Sequence, residues 1–322
     1  MKRRRVLISL ATLNSDYEIE QACAAHEKAS RLGLDLQLVY AENDPVTQSQ
    51  QLLLAIQSPK ESRPEAIIVE PAGGTGLLRV AHAAAEARIG WVVINWDDSY
   101  VEDLRQYPVP AFSVSTDHKE IGRIQGRQIA VLLPRGGSAL YIQGPSHSPR
   151  AQQRSQAMQE TMPATVEVKI LKANWTHQSA QRAVKSWLRL SSLHTAPIHV
   201  VVAQNDAMAL GAREAFRDAY DADRWRCLRF LGCDGLPNAG QAWVRRGYMA
   251  ATVVIPLSIA LAMELLVGEF QGGTRLPPRT LTVPEGYPSL EELGSLERCR
   301  ADAKSSRQAK DSRSTLLEMR NR

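Results

Sequence analysis

The stretch VVAQNDAMALGAREAF, residues 201–216, begins as an apolar strand and ends as an Ala-rich helix. Between the two sit Gln204, Asn205 and Asp206. Asn and Asp are good helix N-caps, because their side-chain oxygens accept the free backbone N–H groups of a first turn. One cap accounts for one residue, not three. In open α/β sheets ligands bind just beyond the carboxyl ends of strands, so a ligand-binding reading of this strand end stands beside the capping one.

Working outward, short apolar runs alternate with amphipathic segments. RVLISLA (5–11), LDLQLVY (34–40), AIIVE (66–70) and WVVIN (91–95) read as strands, with helical patterns over 16–32, 46–57 and 75–88. The repeat of about 30 residues is the length of a βαβ crossover. Gly33 stands where a helix should stop, and Asp44-Pro45 and Gly73-Gly74-Thr75 read as helix starts. The rhythm resumes after AFSVS (111–115). A helix over 119–133 is followed by SALYIQ (138–143), a helix near 151–162, TVEVKIL (165–171), a helix over 178–193, IHVVVA (198–203), the helix from Asp206, and CLRFLG (227–232). Asp234-Gly235-Leu236-Pro237 reads as one more helix start, a helix is expected over 257–267, and LTV (281–283) as a last strand. Two successive sets of parallel strands with crossover helices predict an α/β protein of two Rossmann-like, doubly wound lobes.

A chain of 322 residues accommodates two cores, and 44% hydrophobic with 23% charged residues is an ordinary globular composition. The four cysteines, Cys23, Cys227, Cys233 and Cys299, have neither disulfide-framework nor zinc spacing and read as reduced packing thiols. The net charge of +5 is carried by the two ends: Lys2–Arg5 are all basic, and from Arg298 onward there are eight basic and three acidic residues, leaving a slightly acidic body. Basic ends can touch nucleic acid or lipid head groups, but a solvated terminus is the simpler reading. From about Arg298 a frayed helix or disorder is expected. The apolar run Val6–Ala11 is shorter than a signal-peptide core of roughly 7–15 residues and reads as a first strand, so no export signal is expected in the chain. No run of about 18 apolar residues predicts a membrane span.

AQNDAMALG (203–211) and GCDGLPNAGQAWVRRGYMAATV (232–253) closely resemble the signatures of type I periplasmic sugar-binding proteins, the ribose-binding group. VLISLATLNSDYE, STDHKEIGRIQGRQIA and IQGPSHSPRAQQR agree with the same pattern, and the resemblance runs from about residue 5 to 285. It implies two lobes joined by a three-segment hinge near 115, 255 and 276, with ligand held in the cleft and closure on binding. The first lobe would be 1–115 plus 256–276, the second 116–255 plus 277–288, and 289–322 a basic, partly disordered tail.

The resemblance also implies a site. Asn205 would reach the ligand while Asp206 caps the helix. Asp234, in G-x-D-G, would accept from sugar hydroxyls; the alternative is a helix cap before Pro237. Trp175, in KANWTHQSA, and Tyr17 would be the aromatic walls that cover apolar sugar faces, although Trp175 also suits half-exposed packing. Asn95 ends WVVIN and can bind hydroxyls, but Trp96 stands where the family has an arginine. Gln152 stands at a second arginine position, flanked by Arg150 and Arg154. Ser15 takes the place of a loop Asn, Ala11 that of a strand Ser, and Ile255 that of a hinge Gln. Neutral hydrogen bonds are worth roughly 1 kcal/mol net and charged ones about 1.5–3, so losing two cationic forks argues against ribose itself. A less polar or larger polyol, a deoxysugar or a glycoside fits better.

Enzyme chemistry is not expected. There is no G-x-G-x-x-G after the first strand, no Walker loop, and no G-x-S-x-G elbow; Ser146, His147 and Ser148 are sequence neighbours and not a relay. No cofactor or metal is implied. The function implied is non-enzymatic binding of a sugar or sugar-like molecule as the substrate-binding component of an ABC-type system, with a permease as partner. The alternative is a ligand sensor related to lactose-repressor effector domains, with a signalling partner. With the first strand near residue 5, no helix-turn-helix precedes it in this chain, and direct nucleic-acid binding by that route is not expected.

Overall fold

The computed structural model describes residues 3–73, 77–96, 99–191, 198–219, 227–272 and 276–300. The helix start expected at 74–75 and the tail beyond 300 lie outside them. The chain divides into two compact units, Met1–His118 with Ile255–Pro284, and Lys119–Val254 with Glu285–Arg322, so it passes between them three times.

In the first unit, β1 (Arg5–Leu10), α1 (Asp16–Leu32), β2 (Asp35–Tyr40), α2 (Pro45–Gln57), β3 (Ala66–Val69), α3 (Leu78–Glu86), β4 (Gly90–Ile94), the short α4 (Tyr100–Asp103) and β5 (Ala111–Thr116) follow in order. The helix Ser258–Phe270 and the strand Arg279–Thr282 complete it. The sheet runs Arg279–Thr282, β5, β4, β3, β1, β2, and all its pairings are parallel. Alternation along β1 explains the two cores. Val6, Ile8 and Leu10 pack with Ala22, Ala25 and Ala29 of α1 and with Ile259, Met263 and Leu266. Leu7 faces the other way, onto Leu52 and Ile56 of α2 and Val80 and Ala84 of α3. Both faces being covered, the central strands read as continuous apolar runs.

The strand Arg279–Thr282 corrects one expectation. Residues 277–288 were expected wholly in the second lobe. Arg279 pairs in register with Ser113, and the Ser113 N–H donates to the Pro278 carbonyl at 2.8 Å. The backbone up to Pro284 therefore belongs to the first unit, as an edge strand of its sheet.

The second unit contains α5 (His118–Leu132), β6 (Gly137–Gln143), α6 (Pro149–Thr161), β7 (Val166–Lys172), α7 (His177–Ser191), β8 (Val200–Ala203), α8 (Asp206–Ala219) and β9 (Arg229–Leu231). Its parallel sheet has the order β7-β6-β8-β9, and the strands Thr252–Val254 and Glu285–Tyr287 form a separate antiparallel pair. One core lies against α7 and α8, with Phe216, Met208 and Val184. The other holds Ile129, Tyr141, Met158 and Val202.

Two further expectations are revised. No helix opens at Asp234-Gly235-Leu236-Pro237; the helix is Gly240–Arg245. The Asp234 N–H donates to Val253 O at 3.0 Å and the Gly235 N–H to the Asp206 carboxylate at 2.8 Å, so these donors serve a strand edge and a buried side chain instead of a first turn. Beyond residue 289 the chain is helical over 290–300. Ser289 and Glu292 form its capping box, and Leu293 is 1% exposed in the second core.

Candidate functional site

The carboxyl ends of the second unit's strands are held by a buried polar network centred on Gln204. Its side chain is fully buried. Nε2 lies 3.0 Å from the Tyr141 hydroxyl, 2.8 Å from Ala151 O and 3.0 Å from Ser155 Oγ, and Oε1 accepts the Gly144 N–H at 2.9 Å. The Tyr141 hydroxyl donates to Gln125 Oε1 at 3.1 Å, and Gln125 Nε2 donates to Ala203 O at 2.8 Å. Burial pushes the Tyr141 phenol well above its ordinary pKa, so it stays a neutral donor. A satisfied network of this kind fixes loop positions more than it adds net stability.

The cap expected of Asp206 falls to Asn205. Asn205 Oδ1 accepts the Met208 N–H at 2.8 Å, which makes Asn205 the cap of α8. Its Nδ2 donates to Trp175 O at 2.8 Å and so ties the β7–α7 loop to the end of β8. Asp206 is the first helical residue. Its carboxylate accepts the Thr252 hydroxyl at 2.6 Å and the Gly235 N–H at 2.8 Å. A Cβ on Gly232 or Gly240 would collide with that carboxylate, which is why the motif has glycine on both sides. Asn205 nonetheless keeps a second N–H on Nδ2 that has no partner among the described residues.

Trp175 is half-buried, with its indole against Gly144 and the Arg154 guanidinium 5.7 Å from its ring centroid. Arg154 is only 5% exposed, and Nη1 donates to Gln204 O at 2.6 Å. The buried cation therefore braces the strand end. Gln152, at the family's arginine position, is exposed, and its Nε2 donates to Ser146 O at 2.7 Å. Asp234 is half-buried and does not cap the next helix, whose N-cap is Ala239. The neighbouring Cys233 is buried with its thiol pKa pushed far up by desolvation, so it is an inert packing group.

In the first unit, Asn95 is 4% exposed at the end of β4, and its Nδ2 donates to Glu70 Oε1 at 3.2 Å. Glu70 follows β3, and the fully buried Gln48 joins the two strand ends by donating to Ser9 Oγ at 3.0 Å and Glu70 O at 2.8 Å. Ser15 is the N-cap of α1, accepting the Glu18 N–H at 3.3 Å while hydrogen-bonding the Glu18 carboxylate. Its hydroxyl is committed to the Glu18 N–H and carboxylate. The Tyr17 hydroxyl lies 3.4 Å from Pro256 O. Trp96 is half-buried and packs on the α2–α3 core.

Asn95, Trp175 and Asp234 share a backbone feature that no sequence argument supplied. Their φ values are 58°, 62° and 113°, and they are three of the six non-glycine residues with positive φ among those described. Asn and Asp take positive φ more readily than most residues, whereas a bulky residue such as Trp175 there is a genuine outlier. Glu70 and Gln204 at strand ends, with Gln48 of α2 and Arg154 of α6 bonded to them, are the polar residues not singled out as site residues. The visible signal for Glu70 was a carboxylate closing the apolar run AIIV.

Ser148 caps α6, accepting the Ala151 N–H at 3.4 Å, and His147 is exposed beside it. Among the described residues no group of three His, Cys, Asp or Glu side chains is placed to hold a metal ion, and no helix is long and apolar enough to cross a membrane.

The profile of the periplasmic binding protein domain matches residues 6–268. The ribose import binding protein of Salmonella typhimurium is 22% identical over 253 residues, covering 79% of each chain. The D-ribose/D-allose-binding protein of Pseudomonas aeruginosa is 26% identical over 303 residues, covering 88% of this chain and 90% of its own. Among solved structures, a periplasmic solute-binding protein of an ABC transporter from Actinobacillus succinogenes, with bound D-allose, superposes with a TM-score of 0.77 at 21% identity, covering 91% of this chain and 100% of the other. With the profile spanning most of the chain and the fold in agreement, this protein belongs to the periplasmic binding protein domain family.

Proposed function

We propose that this protein binds a sugar or polyol without transforming it, as the substrate-binding component of an ABC-type import system with a permease as partner. The observation that carries the site is the left-handed backbone at Asn95, Trp175 and Asp234. Residues held in sparsely populated conformations cost of order 1–3 kcal/mol each and cluster at ligand clamps. All three are ligand candidates in the sequence, and each follows a strand. Relatives named for ribose and allose, and a Bacillus halodurans solute-binding protein solved with myo-inositol, support the ligand class.

In the second unit the ligand residues are Trp175, Asn205 and Asp234, with Gln152 at the margin. In the first they are Asn95, Tyr17 and Trp96, with Ser15 contributing through its cap. The ligand is not ribose. Gln152 and Trp96 supply no guanidinium fork, and Arg154 is spent on Gln204 O. A larger or less polar ring fits the second tryptophan. The sensing alternative is not favoured, since the ribose import binding protein covers 79% of this chain, whereas the fructose-binding periplasmic domain of a hybrid two component system shares only the fold, at 18% identity.

A thermal-shift screen of pentoses, hexoses, deoxysugars and inositols tests this reading. A ligand at 100 times its Kd adds about 2.7 kcal/mol, and calorimetry then gives the affinity. If no member of the panel stabilises the protein, or if ribose is the tightest binder, the corresponding part of the reading is wrong.

A further inference from the structure

A depression of about 420 Å³ opens on the second unit beside α7; it adjoins Trp175 through Asn174, and Gln152 through Ser146, whose carbonyl accepts from Gln152 Nε2 at 2.7 Å. Its walls come from Ser146 and His147 after β6, Lys172 at the end of β7, Asn174, and Ser179 and Arg182 of α7. No carboxylate lines it. On the same strand Lys169 is 3.8 Å from Glu167, and on the same helix Lys185 is 3.0 Å from Asp218 and His177 3.1 Å from Glu214. Lys172 and Arg182 have no such partner among the described residues.

We propose that this depression binds the phosphate or carboxylate group of a small molecule. Two cations converging in a concave, acid-free wall focus a positive field there. Arginine offers a planar fork that matches an oxyanion, and lysine a point charge. The end of α7 does not supply the pull: Thr176 Oγ1 already accepts the Ser179 N–H at 3.2 Å. Small-molecule sites span roughly 300–1,000 Å³, so this volume suits an anionic group attached to a larger body. Ser146 and Asn174 also line the depression and bring neutral hydrogen-bonding groups to that body. The depression adjoins Trp175 and Gln152 but contains neither, and the proposal does not need the sugar-binding reading.

The test uses the full chain with inorganic phosphate, glucose 6-phosphate and glucuronate, each against sodium chloride at matched ionic strength, by thermal shift and calorimetry. Saturable stabilisation by phosphate or glucuronate is expected, and the two arms separate phosphate from carboxylate. Lys172→Ala and Arg182→Gln should each weaken binding by about tenfold or more, and the double variant should abolish it, with unchanged melting in chloride because both side chains are exposed. No saturable effect in the native protein overturns the proposal. So does an effect of inorganic phosphate that survives in the double variant. Binding of a poly-glutamate peptide with none of the small anions would also overturn it, and would make the depression a docking surface for an acidic protein segment.

Discussion

The indole of Trp175 occupies the space that a side chain on Gly144 would need: a Cβ there would overlap three of its ring carbons. Gly144 is also pinned through its N–H by Gln204. Gly144→Ala should therefore displace the indole while leaving the Gln204 network in place. Tryptophan emission should shift, and sugar affinity should fall by about tenfold, in line with an aromatic contact worth roughly 0.5–1.5 kcal/mol beyond its area. In a Trp175→Ala background the same substitution should cost nothing further, because contacting residues are not additive. Emission that shifts with affinity unchanged would remove Trp175 from the ligand site.

Asp206 receives two buried donors, Thr252 Oγ1 and Gly235 N. Asp206→Ala leaves both without an acceptor. Hydrogen bonds to charged groups contribute about 1.5–3 kcal/mol, so a loss of about 3 kcal/mol in the second unit is expected from urea unfolding. Asp206→Asn keeps one acceptor oxygen and should lose clearly less. Equal losses would mean that the carboxylate's charge, and not its geometry, matters.

Much of the fold was legible because buried parallel strands are apolar on both faces. The helix over 290–300 is hard to read because it leads into the polar, basic segment that begins at Arg298. Its signature is Ser289-x-x-Glu292 followed by Leu293, a single capping box with one apolar anchor. The pairing of Arg279–Thr282 with β5 and the partners of Asp206 were not legible, because Asp206 is chosen by Gly235 and Thr252, dozens of residues on. Leu293→Ala checks the revised C-terminal boundary. A fully buried Leu→Ala change costs about 2–5 kcal/mol, whereas a tail residue would cost almost nothing.

Two helix caps carry a pH dependence. The Asp44 carboxyl is held below its usual range by the Thr47 hydroxyl and the Val46 and Thr47 N–H groups. Glu292 is held down by the Ser289 N–H and hydroxyl. Each folded pKa lies below its unfolded value, so each contribution is fully present well above the unfolded value of about 4 and is lost as pH falls through the folded one. Urea midpoints should hold from neutral pH to about 5 and then decline. Asp44→Asn should make the acid limb of the first unit shallower; a steeper limb would contradict the cap.

Asn95 allows backbone and side chain to be separated. Its φ of 58° is one that glycine adopts freely and Asn tolerates better than most residues. Asn95→Gly keeps that conformation but deletes the amide that donates to Glu70 Oε1. Asn95→Ala deletes the amide and strains the backbone as well. If Asn95 serves only to turn the chain after β4, Gly should bind sugar as the parent does and Ala should lose stability alone. If the amide meets the ligand, both should lose affinity by similar factors, about tenfold for a lost hydrogen bond with its partner left buried, while only Ala falls clearly in stability. Calorimetry and urea unfolding on the two variants decide the matter, and parental affinity in Asn95→Gly would strike Asn95 from the ligand set.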